Sequence, residues 1–76
     1  MEEKVIAVLA ETLCIPAGTI GSGTTMEGTS SWDSLRHIEL VSQLEDAFGV
    51  RFEVEEILDM VSFDRIVAVL GRKETS

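Results

Sequence analysis

Leu35-Arg36-His37-Ile38-Glu39-Leu40-Val41-Ser42-Gln43-Leu44-Glu45-Asp46-Ala47-Phe48-Gly49 reads as one amphipathic helix with its stop signal attached. When residues are stepped at roughly 100° each, Leu40, Val41, Leu44, Ala47 and Phe48 share one side, which must face a core. Gly49 tolerates the left-handed backbone that ends helices. At the other end Asp33 or Ser34 can cap the helix, because each offers a side-chain oxygen to the unpaired N–H groups of the first turn. The spacing predicts a helix over 35–48.

Upstream, Ile6, Leu9, Ala10 and Leu13 recur at three- and four-residue spacing and predict a helix over 2–14. Glu2 and Glu3 suit the positive end of its dipole. Ile15-Pro16 ends it, since a residue before proline is pushed out of helical geometry. The segment 15–33 is then a long loop with Gly18, Gly21, Gly23 and Gly28 set among Ser and Thr. Loops of that length in small domains are functional, disordered or pinned, and Ile20 and Met26 are the residues expected to pin this one. Downstream, Val50-Arg51-Phe52 reads as an extended link. A short acidic helix over 55–60 carries Ile57, Leu58 and Met60. Ser62 caps a last helix over 63–70 whose Ile66, Val67, Val69 and Leu70 face the core, and 72–76 reads as a polar, frayed tail. No internal repeat or β-hairpin signal interrupts this. The expected fold is all-α, a four-helix bundle of three longer helices and one short one, in a single domain 1–76.

With 76 residues there is room for one core and few apolar residues to spare from it. Fourteen acids oppose six bases, a formal charge of -8. A field of that sign repels nucleic acid and anionic lipid and steers encounter with basic protein surfaces. Cys14 is the only cysteine, so no intramolecular disulfide forms and the usual zinc ligand set is missing. It reads as a small buried hydrophobe on the first helix. Glu53-Val54-Glu55-Glu56 lacks the alternating ligands and mid-loop glycine of a calcium loop, so no metal site is expected. Met1-Glu2-Glu3-Lys4 lacks the basic and apolar regions of a secretion signal, and no run approaches the roughly 20 apolar residues that span a bilayer. The expected location is cytoplasmic.

The outer side of the 35–48 helix is less ordinary. Leu35 and Ile38 fall there with Ser34, Glu39, Ser42, Glu45 and Asp46. Three readings are open: a partner face, scattered surface apolar residues, or apolar residues covered by the long loop. Ser34 stands where a flexible loop meets a helix N-terminus, a place that suits an N-cap and equally a bound phosphate. A nucleophilic serine would need a base and an orienting group. His37, the only histidine, is poorly placed for proton transfer to Ser34 and lies at the margin of the core stripe, where a packing or hydrogen-bonding role is expected. No catalytic set is present, so the chain is not expected to be an enzyme.

Asp33-Ser34-Leu35, followed by Ile38-Glu39-Leu40-Val41 and Leu44-Glu45-Asp46-Ala47-Phe48-Gly49-Val50, resembles the acyl carrier protein family. Glu56-Ile57 and Val61-Ser62-Phe63 are similar to that family's third and fourth helices, so the resemblance covers nearly the whole chain. It implies that Ser34 bears a covalent 4'-phosphopantetheine arm, transferred from coenzyme A by a magnesium-dependent phosphopantetheinyl transferase that recognises Asp33. It implies a partner face of Leu35, Ile38, Glu39, Ser42, Glu45 and Asp46 for acyl ligase, synthase or transferase enzymes with basic docking surfaces. The arm's thiol, not Cys14, would hold the acyl group as a thioester in fatty-acid, polyketide or related biosynthesis, on a free-standing monomeric carrier. Arg36, Ser42, Trp32 and the Gly/Thr-rich loop depart from housekeeping fatty-acid carriers and point toward a specialised pathway. An aminoacyl or peptidyl carrier, whose usual Gly-Gly pair is replaced by Ser31-Trp32, and an unmodified interaction module with the same fold are the alternatives.

Overall fold

A computed structural model describes residues 1–75. Four α-helices, α1 (Glu2–Leu13), α2 (Ser34–Phe48), α3 (Val54–Asp59) and α4 (Phe63–Thr75), follow one another, with a single 3₁₀ turn at Ala17–Thr19 between the first two. No strand forms among the described residues, and the bundle has three long helices and one short one.

Val5, Leu9 and Leu13 of α1 are fully buried, with Thr12 beside them, so its core stripe runs through Val5, and Ile6 and Ala10 flank it. Leu40, Val41 and Leu44 of α2 meet Ile66, Val69 and Leu70 of α4 in the same core, with Ala47 and Phe48 partly covered. Both α1 and α2 stop in the same way. Cys14 and Gly49 adopt left-handed backbones (φ 57 and 65), and the following N–H groups, of Ile15 and Val50, return to the Ala10 and Glu45 carbonyls. That is a glycine-type stop with cysteine in the glycine's place. Cys14 is therefore exposed and outside the helix, contrary to its reading as a buried helical residue. Helix α1 ends at Leu13 because Cys14 turns and Pro16 holds the chain extended (ψ 135).

The long loop is pinned by more than Ile20, which is buried, and Met26, which packs on the core from its edge. Met26 N–H donates to the Val61 carbonyl and Phe63 N–H to the Thr24 carbonyl, an isolated antiparallel bridge between the loop and the α3–α4 link. Ser22 adds a hydroxyl bond to the Asp64 carboxylate. Trp32, only 2% exposed, anchors the loop's end.

Helix α3 starts one residue earlier than its periodicity suggests, because Glu53 and Glu56 form a reciprocal capping box. Helix α4 starts on its expected cap, with the Ser62 hydroxyl accepting from Arg65 N–H. The frayed tail expected from residue 72 is not observed: α4 continues through Thr75. Lys73 reaches Glu56 at 2.8 Å and lies 5.6 Å from the Phe52 ring centroid, so the last turn is held from outside. Arg72 and Lys73 also complement the helix's negative end. Ser76 lies outside the described residues. No described helix is long and apolar enough to cross a membrane.

Candidate functional site

Helix α2 begins where the loop's last residues are fixed. Asp33 is the N-cap: its backbone is extended (φ -104, ψ -174), and its Oδ1 accepts the Arg36 N–H at 2.9 Å. Of the two possible caps the aspartate takes the role, and this leaves the serine free. Ser34 is the first helical residue, exposed, and its hydroxyl enters no hydrogen bond among the described residues. A phosphate ester there would sit against the unpaired N–H groups and positive dipole end of α2. The geometry thus has room for a phosphoryl group at Ser34 without breaking the cap.

Two side chains brace this helix start, one toward α1 and one toward Trp32 and α3. Arg36 turns toward α1, donating from Nη1 to the Thr12 carbonyl at 2.6 Å, with the Cys14 sulfur 3.7 Å away. The Cys14 sulfur first, and then the Glu39 and Asp33 carboxylates, raise the guanidinium pKa above its ordinary value. Arg36 is therefore a tie between helices and not a loose cation on the outer face. The second brace, His37, is buried. The Trp32 indole N–H donates to its Nδ1 at 3.0 Å, and its Nε2 lies 2.8 Å from the Ile57 carbonyl. An indole nitrogen only donates and a carbonyl only accepts, so the ring hydrogen sits on Nε2. This fulfils the hydrogen-bonding role expected of His37.

The outer face shows a division that periodicity could not. Leu35 and Ile38 are 68% and 67% exposed, so neither the core nor the loop covers them. Glu39, Ser42 and Asp46 are exposed as well. Glu45 is different: it is half-buried, and its Oε2 accepts the Phe52 N–H at 2.9 Å. Its carboxylate is engaged in holding the lead-in to α3, so a free partner-facing charge is not what this residue offers.

Helix α3 extends the surface in a way the sequence reading missed. Taking His37 as origin, Glu45 falls about 80° and Ile38 about 100° round α2. His37 and Glu45 both bond the 52–57 segment, so α3 borders the flank that carries Ile38. Val54 and Leu58 of α3, one helical turn apart, are 69% and 71% exposed. Four large apolar side chains therefore stand in solvent on two adjoining helices of a small domain, and Leu35 and Ile38 of these lie within about one turn of Ser34. The available signal was the i, i+4 spacing of Val54 and Leu58 on a six-residue helix whose other apolar positions are Ile57 and the following Met60.

The family model described as "Phosphopantetheine attachment site" matches residues 3–70. An acyl carrier protein of Saccharopolyspora erythraea is 42% identical over 55 residues, a match covering 72% of this chain and 58% of that protein. The chain thus spans less than two thirds of the length of that curated relative. A family of this kind carries a covalently attached 4'-phosphopantetheine, whose terminal thiol supplies the thioester chemistry when it is present. On the match across its four helices, this chain belongs to the acyl carrier protein family.

Proposed function

We propose that Ser34 is the attachment point of the phosphopantetheine arm and that this single domain, residues 1–76, carries acyl groups on it. The observation that carries the reading is the division of roles at the start of α2. Asp33 caps the helix, which leaves an uncommitted, exposed serine hydroxyl at its first position. The chain binds and presents cargo, and partner enzymes do the chemistry. Tethering raises the cargo's effective concentration at each partner.

The docking face is Leu35, Ile38, Glu39, Ser42 and Asp46, continued onto α3 by Val54 and Leu58. Apolar residues at its centre supply the grip, and the acids, with a chain charge of -8, speed encounter with a basic partner. The partners are a phosphopantetheinyl transferase, with Asp33 beside its target serine, and the acyl ligase, synthase or transferase enzymes of a fatty-acid, polyketide or related specialised route. The domain works as a cytoplasmic monomer.

Kinetics with a broad-specificity transferase, coenzyme A and magnesium test the reading. Glu39→Lys with Asp46→Lys is expected to slow association strongly at low salt and little at high salt. Ile38→Ala should mainly speed dissociation, with the fold intact. Unfolding of Ile38→Ala, or charge reversals without effect on association, would place the docking face elsewhere. A wild type never modified by the transferase contradicts the carrier reading itself.

A further inference from the structure

His37 joins three segments that meet at the start of α2. Its Nδ1 holds Trp32, two residues before Ser34, and its Nε2–H holds the Ile57 carbonyl in α3. The ring itself belongs to the first turns of α2 and is buried with the Trp32 indole. Removing the ring's nitrogens would leave a buried indole donor unpaired and take one of two donors from the Ile57 carbonyl, which keeps the Met60 N–H at 3.3 Å. Beyond its packing in the core, the remaining polar tie on Trp32 is its own backbone N–H to the Thr29 carbonyl, a turn within the loop.

The position of Trp32 fixes the chain direction into Asp33, and the Asp33 cap depends on that direction. Its extended backbone places Oδ1 on the Arg36 N–H, and its carbonyl accepts the His37 N–H at 2.8 Å. The ring thereby sets the serine hydroxyl relative to both halves of the docking face. We propose that His37 is a positioning residue for phosphopantetheine attachment at Ser34, acting through Trp32 and Ile57 and never touching the transferred group. The inference rests on the reading of Ser34 as the attachment site.

Loss of such a brace has a kinetic signature. The docking side chains of α2 remain, so binding of the transferase persists, while the hydroxyl samples orientations that do not react. Misplacement by about an ångström can cost up to roughly a hundredfold in rate. The test is steady-state attachment by a broad-specificity transferase with coenzyme A and magnesium, below the melting temperature of each variant. His37→Leu should lower kcat by about tenfold to a hundredfold with KM little changed. It should also shift the emission of the single tryptophan to longer wavelength. His37→Gln keeps one acceptor and one donor and should recover most of the rate. Trp32→Phe removes the indole donor together with part of the buried ring, leaves the Ile57 bond, and should give an intermediate loss.

A folded His37→Leu modified at the wild-type kcat, or a His37→Gln no better than His37→Leu, overturns the inference. Should His37→Leu fail to fold, a wild-type kcat in Trp32→Phe overturns it equally. A wild type that accepts no phosphopantetheine overturns the carrier reading, and this inference with it.

Discussion

Glu45 and Asp46 are neighbours on the outer side of α2, with the same charge and opposite employment. Glu45 accepts the Phe52 N–H, and Asp46 stands in solvent. Glu45→Ala should therefore cost about 1–2 kcal/mol, the worth of a partly buried bond to a charged acceptor. Asp46→Ala should stay within about 0.5 kcal/mol of wild type. Urea unfolding of the two variants checks this, and equal effects would mean that the Glu45 bond contributes nothing. Cys14 is a second such residue. Its left-handed backbone is one that glycine adopts without steric cost, so Cys14→Gly should raise stability by up to about 1 kcal/mol. A lower stability would show that the sulfur's contact with Arg36 outweighs the relief. Neither role was legible in the sequence. Angular position put Glu45 outside the core correctly, but a backbone donor on the following link consumes its carboxylate. Pro16 explained the end of α1 so readily that the turn at Cys14 went unseen.

Among the elements, α2 was the most legible because three independent signals agreed on it: a 3.6-residue apolar stripe, a capping oxygen and a terminal glycine. The short α3 has too few turns for its periodicity to place its ends, and its start is set by the Glu53–Glu56 capping box. The last turn of α4 could not be read from its polar sequence, since Lys73 is held by Glu56 and Phe52 from elsewhere in the chain. Burial of Trp32 likewise depends on an acceptor in α2, the imidazole of His37. Glu56 has a pH-dependent consequence. Its carboxylate accepts the Glu53 N–H and pairs with Lys73, and these contacts, the backbone one first, lower its pKa below the ordinary carboxylate value. The folded value lies below the unfolded one. The stabilisation is thus present in full above the ordinary carboxylate range and is lost as pH falls through the depressed folded value. Acid titration of the wild type should loosen α3 and the end of α4 together, as amide exchange of Glu53 and Lys73 can report. Glu56→Gln should remove most of that pH dependence; if the variant keeps it, the loosening has another cause.

The whole molecule is a compromise between a small core and a face kept out of it. Leu35, Ile38, Val54 and Leu58 contribute nothing to the interior, and the acids around them repel one another. Both costs become intelligible if the face exists to be covered, briefly and repeatedly, by basic partners while cargo rides on the adjacent serine. The attachment residue itself is the point on which this account turns. Fragmentation mass spectrometry of the protein after incubation with transferase, coenzyme A and magnesium tests it most directly. The account predicts one added phosphopantetheine, carried by the fragment containing Ser34, and no addition to Ser34→Ala. An arm on any other residue, or an alanine variant that still gains the mass, would contradict it.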